Sequence, residues 1–404
     1  MSSLREASEP PPERESAPRE ERPWWSLSLL SNRFPELHGL RALAILSVLQ
    51  VHVSVVLSRG RMMTPGRLFW FSSSVWFGMD LFFVLSGFLI GSMLISEGSK
   101  GWRGIGRFYA RRSFRIIPLY YFVLIALWRI EKPTYAFKAL IPEFLYVAPY
   151  TRPDIGNAVM PYAWSLCVEE HFYLAVPLLV ALLRRLPSHR SRVLTLGALW
   201  LSGALTRHLL VWLWKLPWNA EYMFRFIYVM THGRYDTLIA GVLLAYVVHH
   251  FGDRLREVFA RAWARWLCYA FAGLCLWSLF PPHPTLPHTH WNLWAWGTIT
   301  SLMYAAVLLP LLHSPKGAWL PSFMGARLWL PIATLGYGVY LVHIPLMDHI
   351  VKVAMVGFFF SRWPEWALWS LALLLLSLLS WTLAYVLHVV VEKPALWLRD
   401  RLAP

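Results

Sequence analysis

Ten apolar runs, each close to the roughly 20 residues needed to cross a bilayer's hydrocarbon core, begin near residues 40, 75, 115, 163, 193, 227, 264, 294, 330 and 366. In lipid the backbone must satisfy its own hydrogen bonds, and runs of this length do so as helices. The expected fold is therefore an all-α polytopic membrane protein, a bundle of about ten transmembrane helices. Composition agrees: 57% of the chain is hydrophobic and only 15% charged, against about 25% charged in soluble domains. The third and sixth runs are the least continuous, because Arg129 closes one and Arg234 and Asp236 interrupt the other.

Basic residues orient the bundle, since they hold their loops in the cytoplasm. With both termini cytoplasmic, 24 of the 38 Lys and Arg residues fall on the inner side and 11 on the outer, with Arg41, Arg207 and Arg234 inside spans. A formal net charge of +16 in a soluble chain would point to nucleic acid. Here topology and membrane lipid headgroups account for it, and no nucleic-acid partner is expected. Residues 1–32 are expected to be a disordered cytoplasmic tail, because the first 23 are rich in Pro, Glu and Arg and nearly devoid of apolar side chains. They lack the apolar core of a signal peptide, so the first span directs insertion. Residues 33–404 then form the transmembrane domain. Cys167, Cys268 and Cys275 are too scattered for a disulfide framework or a zinc site. No internal repeat of the kind found in many secondary transporters is visible.

Chemistry is sought where polar groups enter the spans, because an ionisable side chain at membrane depth is costly and usually functional. Arg41 and His52 lie in the first run, LRALAILSVLQVHV. Eleven helical steps return them to within about 20° of one face, about 16 Å apart along the axis. GMDLFFVLSGFLI carries Asp80 and a small Ser86-Gly87 pair that admits close approach of a backbone or ligand. WSLCVEEHFYL brings Glu169, Glu170 and His171, HGRYDTLIAG brings Arg234 and Asp236, and GYGVYLVHIPL places Tyr340 and His343 on one helix face. At 1.5 Å per residue His52, Asp80, Glu169, Asp236 and His343 fall within roughly 7–13 Å of the outer surface. Two readings of this layer stand: a site assembled from five spans, or groups that pair with one another to hold the bundle together.

On the cytoplasmic side, RGIGRFYARRSFRIIPLYY sets Arg111, Arg112 and Arg115 at spacings that let three guanidinium groups surround one anion. Arginine forks match phosphate oxygens, of which an acyl-CoA carries several. The same charges also fit a plain positive-inside flank. His283, His288 and His290 share an outer loop, yet their spacing matches no zinc pattern, and no metal is expected.

GLRALAILSVLQVH, GMDLFFVLSGFLI, FYARRSFRIIPLYY, WSLCVEEHFYL, RYDTLIAG, GYGVYLVHIPL and VEKPALWLR occur here in a set order over residues 33 to 399. In that order they resemble the acyltransferase 3 family of integral membrane O-acyltransferases. His38, Cys167 and His171 depart from the family's usual Asp, Ser and Gln, which bears on substrate preference more than on reaction type. The resemblance implies an enzyme that passes an acyl group, acetyl in the simplest case, from cytoplasmic acyl-CoA to an acceptor hydroxyl, often on a glycan at the outer face. It gives functional weight to Arg41 and His52 and to the arginine motif at Arg112 and Arg115. The chain ends just after its tenth run and so resembles members built from the membrane domain alone, in the bacterial inner membrane.

The expected site follows. His52, Arg41 and Glu169 are catalytic, with His52 the general base. Arg111, Arg112 and Arg115 hold the acyl-CoA, and Asp80, Asp236, Tyr340 and His343 bind the acceptor. A transporter or flippase for a glycan or acylated substrate is the alternative.

Overall fold

The structure, a computed structural model, describes Leu27 and residues 34–59, 63–64, 66–73, 75–96, 101–132, 135–151, 158–215, 220–279, 290–315, 317–356 and 363–403. The rest of the 1–32 tail, and His283 and His288, lie outside the described residues. Each of the ten apolar runs is helical, and among the described residues there is no strand. The helices are α1 (Glu36–Arg59), α2 (Gly78–Ser96), α3 (Gly101–Glu131), α4 (Trp164–Arg185), α5 (His189–Leu213), α6 (Tyr235–Ala260), α7 (Ala262–Leu279), α8 (His290–His313), α9 (Trp329–Val356) and α10 (Glu365–Leu387). A short α11 (Lys393–Leu402) follows. Nine helices among the described residues are long and apolar enough to cross a membrane. The run from 264 is α7, which has only 18 residues, carries Arg265 and is not one of the nine.

Outward faces confirm the solvent these helices are built for. Leu174, Leu178 and Leu182 recur at helical spacing along α4 and are all exposed, as are Leu194, Leu201, Leu205 and Leu209 on α5. Contiguous leucine stripes of this size are unfavourable against water and natural against lipid. The chain is a multi-pass, all-α membrane protein.

Two runs have different ends from those expected. The third extends back to Gly101, so the arginine motif and the span are one continuous 31-residue helix. The sixth begins at Tyr235 rather than near 227, after a π-helical turn at Phe224–Tyr228 and a 3-10 turn at Thr231–Gly233. Arg234 is thus the residue preceding α6 and not an interruption of it. Helix α5 starts through a capping box, in which Ser188 Oγ accepts from the Ser191 amide at 3.1 Å.

At the centre α2 packs along α6, with α1 and α9 against one another and α10 behind α9. The crossing of α2 and α6 is set by two glycines. A Cβ on Gly87 would lie 2.0 Å from the Leu238 carbonyl oxygen, and one on Gly241 would lie 2.2 Å from that of Val84. Small residues that let backbones meet drive helix association in lipid, where no hydrophobic gain is on offer. The approach expected at Ser86-Gly87 is that of a backbone at Gly87, which leaves Ser86 facing elsewhere.

Candidate active site

A cavity of about 130 Å³ opens among α1, α2, α3, α4 and α9. Arg41, Arg112, Arg115 and Glu169 supply its charge, three cations against one carboxylate. None of the three arginines forms an ion pair among the described residues. The Arg112 guanidinium carbon lies 4.3 Å from the centre of the Tyr173 ring, and its Nε is buried without a hydrogen-bond partner. Half-buried guanidinium groups without a paired carboxylate favour a bound anion, so the cavity is chemically suited to a phosphate-bearing ligand.

Glu169 is held in place rather than free. Ser86 Oγ donates to Glu169 Oε1 at 2.7 Å, and Tyr173, one turn beyond Glu169 on α4, lies 3.2 Å from the same hydroxyl. With the serine proton committed to the carboxylate, the Tyr173 hydroxyl is placed to donate to Ser86 or to Glu169 itself. Tyr173 is not among the residues expected from the sequence, although it stands four residues after Glu169 and so on the same helix face. Ser86 was singled out only as a small residue.

Tyr340 lines the far part of the cavity with Ser165. Its hydroxyl donates to the Tyr162 carbonyl, so the 2.7 Å contact with Ser165 has serine as donor. The phenolic proton of Tyr340 is therefore occupied and cannot also point at a ligand. One turn along α9, the rings of Tyr340 and His343 lie 5.5 Å apart, and His343 Nε2 stands 3.1 Å from His52 Nδ1. His343 is fully buried and His52 half-buried. The line cavity, Tyr340, His343, His52 thus runs up the α1–α9 interface.

Pro345 contributes to this placement. It has no N–H to donate to the carbonyl four residues back, at Leu341, and the Tyr162 hydroxyl donates there instead at 2.7 Å. The segment entering α4 is thereby fastened to α9 at Tyr340 and Leu341, just before His343.

The remaining expected residues are placed elsewhere. Asp80 and Asp236 do not line the cavity. Asp80 faces Arg234 at 3.2 Å and Asp236 accepts from Arg207 at 2.8 Å, all four side chains being almost wholly buried. Arg207 also donates to the Gly233 carbonyl at 2.9 Å and covers the Trp296 ring at 4.6 Å. Of the two readings of the polar layer, mutual pairing describes these carboxylates. Arg111 is exposed, and its Nε donates to the Ala403 carbonyl beyond α11 at 3.0 Å, outside the cavity. His171 Nδ1 meets Thr231 Oγ1 at 2.7 Å, outside the cavity.

The sequence profile of one protein family, described as an acyltransferase domain, matches residues 34–386, which include every residue lining this cavity. The chain belongs to that acyltransferase family. Among curated proteins, this acyltransferase chain is similar to O-acetyltransferase OatA of Staphylococcus aureus strain NCTC 8325 / PS 47 and to its counterpart in strain COL. Each is 28% identical over 228 residues, covering 53% of this chain. The match spans only 34% of the length of either relative. No solved structure is significantly similar to the acyltransferase.

Proposed function

We propose that the protein is a membrane O-acyltransferase that moves an acetyl group from cytoplasmic acetyl-CoA to a hydroxyl of a glycan or other carbohydrate-containing acceptor, in the plasma membrane of a bacterium. Residues 33–404 would be the catalytic domain and 1–32 a cytoplasmic tail, with both termini cytoplasmic. The observation that carries this reading is the excess of guanidinium over carboxylate in a cavity lined by Tyr340, whose ring neighbours His343 and through it His52, although neither imidazole lines the cavity itself.

Arg112 and Arg115 hold the coenzyme phosphates, and Arg41 lines the approach. Arg111, bonded to the Ala403 carbonyl, is left to seat the C-terminal helix. His52 acts as general base: it takes the proton from the acceptor hydroxyl as that oxygen attacks the thioester carbonyl. Collapse breaks the carbon–sulfur bond, and the proton returns from His52 to the departing thiolate. Acetylated acceptor and free CoA result, with no net proton change at the histidine. Glu169, fixed by Ser86, is the carboxyl group set beside the three arginines in the cavity.

The test is release of free CoA by the purified protein in acceptor-containing membranes. His52→Ala is expected to lower turnover by about 10²–10⁴-fold, the usual contribution of a general base. Retention of near wild-type turnover by a folded His52→Ala protein would remove the base from the mechanism.

A further inference from the structure

We infer that His343 is a positioning residue whose neutral imidazole fixes His52 as the Nδ1–H tautomer, so that Nε2 is the basic atom. The inference rests on the acyl-transfer reading for its consequence but not for its geometry.

Three contacts determine the proton positions. His343 Nδ1 lies 2.6 Å from the Tyr340 carbonyl oxygen. A carbonyl only accepts, so this nitrogen carries a hydrogen. His52 Nδ1 lies 3.0 Å from the Val48 carbonyl oxygen, and by the same argument it too carries a hydrogen. The third contact, 3.1 Å between His343 Nε2 and His52 Nδ1, then has one arrangement without two hydrogens facing each other. His343 Nε2 is a lone pair, His343 is neutral, and the His52 N–H is shared between that lone pair and the Val48 carbonyl.

What remains on His52 is Nε2. Among the described residues it has no hydrogen-bond partner, and it is not one of the polar atoms sealed from solvent. Both hydroxyls nearest His343 are already spent, Tyr162 on the Leu341 carbonyl and Tyr340 on the Tyr162 carbonyl. Neither competes for the His343 lone pair. His343 therefore does for His52 what a carboxylate does for histidine in hydrolase triads: it selects the tautomer, holds the ring, and accepts from the Nδ1–H of the imidazolium formed when Nε2 takes a proton. It does so without burying a negative charge, which suits a site inside a membrane bundle.

The deciding measurement is side-chain ¹⁵N NMR of histidine-labelled full-length protein in nanodiscs, with His52 assigned by its loss in His52→Ala. Neutral His52 is expected as the Nδ1–H tautomer alone. An Nε2–H tautomer, or an even mixture, overturns the inference with no variant of His343 needed. In turnover, His343→Phe is expected to fall roughly 10–100-fold, the cost of losing an orienting partner, with KM for acetyl-CoA within about twofold. His343→Gln, whose amide oxygen can accept from Nδ1–H, should recover most of that loss, and a Gln variant as poor as Phe counts against the assignment. Full activity of His52→Ala beside an Nδ1–H signal would leave the tautomer standing and remove His52 from the chemistry.

Discussion

Arg234 and Asp80 meet at 3.2 Å with neither side chain exposed, and four aromatic rings crowd the guanidinium, Tyr228 at 4.3 Å, Phe83 at 5.1 Å, Trp296 at 5.6 Å and Trp164 at 5.7 Å. The pair joins the start of α6 to the start of α2, and the second pair, Arg207 with Asp236, joins α6 to α5. Gly203 and Gly297 make room for the second carboxylate, since a Cβ on either would fall 2.4 Å and 2.6 Å from Asp236 atoms. The central helices are thus pinned by ions as well as packed.

Breaking one partner leaves an uncompensated buried charge. Asp80→Ala is expected to destabilise the detergent-solubilised protein by about 3–5 kcal/mol. Asp80→Leu combined with Arg234→Met should recover much of that loss, because the double variant removes both desolvated charges. Thermal unfolding followed by tryptophan fluorescence measures both. A single variant as stable as wild type would show that the pair does not hold the helices.

Glycine positions separate in a second test. Gly241→Ala puts its Cβ against the Val84 carbonyl and the Phe88 amide nitrogen, at 2.2 Å and 2.6 Å. The helices must part, at a cost of about 1–3 kcal/mol or more. Gly273→Ala on α7 meets nothing within 4 Å and should be neutral or stabilising by up to about 1 kcal/mol from helix propensity. Melting temperatures of the two variants should therefore move in opposite directions or by clearly different amounts.

Within the arginine motif the effects should divide by position. Arg112→Gln and Arg115→Gln are each expected to raise KM for acetyl-CoA about tenfold or more, the scale of one lost charge-assisted bond. Arg111→Gln loses only the bond to the Ala403 carbonyl and should change KM less than about twofold. Steady-state kinetics over a range of acetyl-CoA concentrations distinguishes these outcomes. Equal effects at all three positions would mean a diffuse positive surface rather than a site.

The span pattern and the charged face of α1 were legible because a single helix fixes them: length, apolarity and a spacing of eleven residues need no knowledge of neighbours. The fate of Asp80 and Asp236 was not legible from depth alone, since a carboxylate in a span looks the same whether it faces a ligand or an arginine. One signal was available. The apolar runs hold Arg207 and Arg234 as well as the two aspartates, a balanced set, whereas Arg41, Arg112 and Arg115 outnumber Glu169 where a ligand is proposed. The meeting of His52 and His343, 291 residues apart, depends on how α1 and α9 pack and is invisible to either helix alone. The start of α6 was misplaced because Tyr228, Val229 and Met230 continue an apolar run, although the chain there turns through π and 3-10 geometry.

Pro345 and Tyr162 make the last prediction, and it couples backbone to site. The Leu341 carbonyl would be an unsatisfied buried acceptor without the Tyr162 hydroxyl, so Tyr162→Phe is expected to cost about 1–3 kcal/mol. Pro345→Ala restores an N–H at the position that serves Leu341 in an ordinary helix. The double variant Tyr162→Phe, Pro345→Ala should therefore be more stable than Tyr162→Phe alone, a coupling that thermal unfolding of the four proteins of the cycle measures. If the two changes simply add, the carbonyl is satisfied in some other way, and the hold of the α4 entry on α9 beside His343 is weaker than the 2.7 Å contact implies.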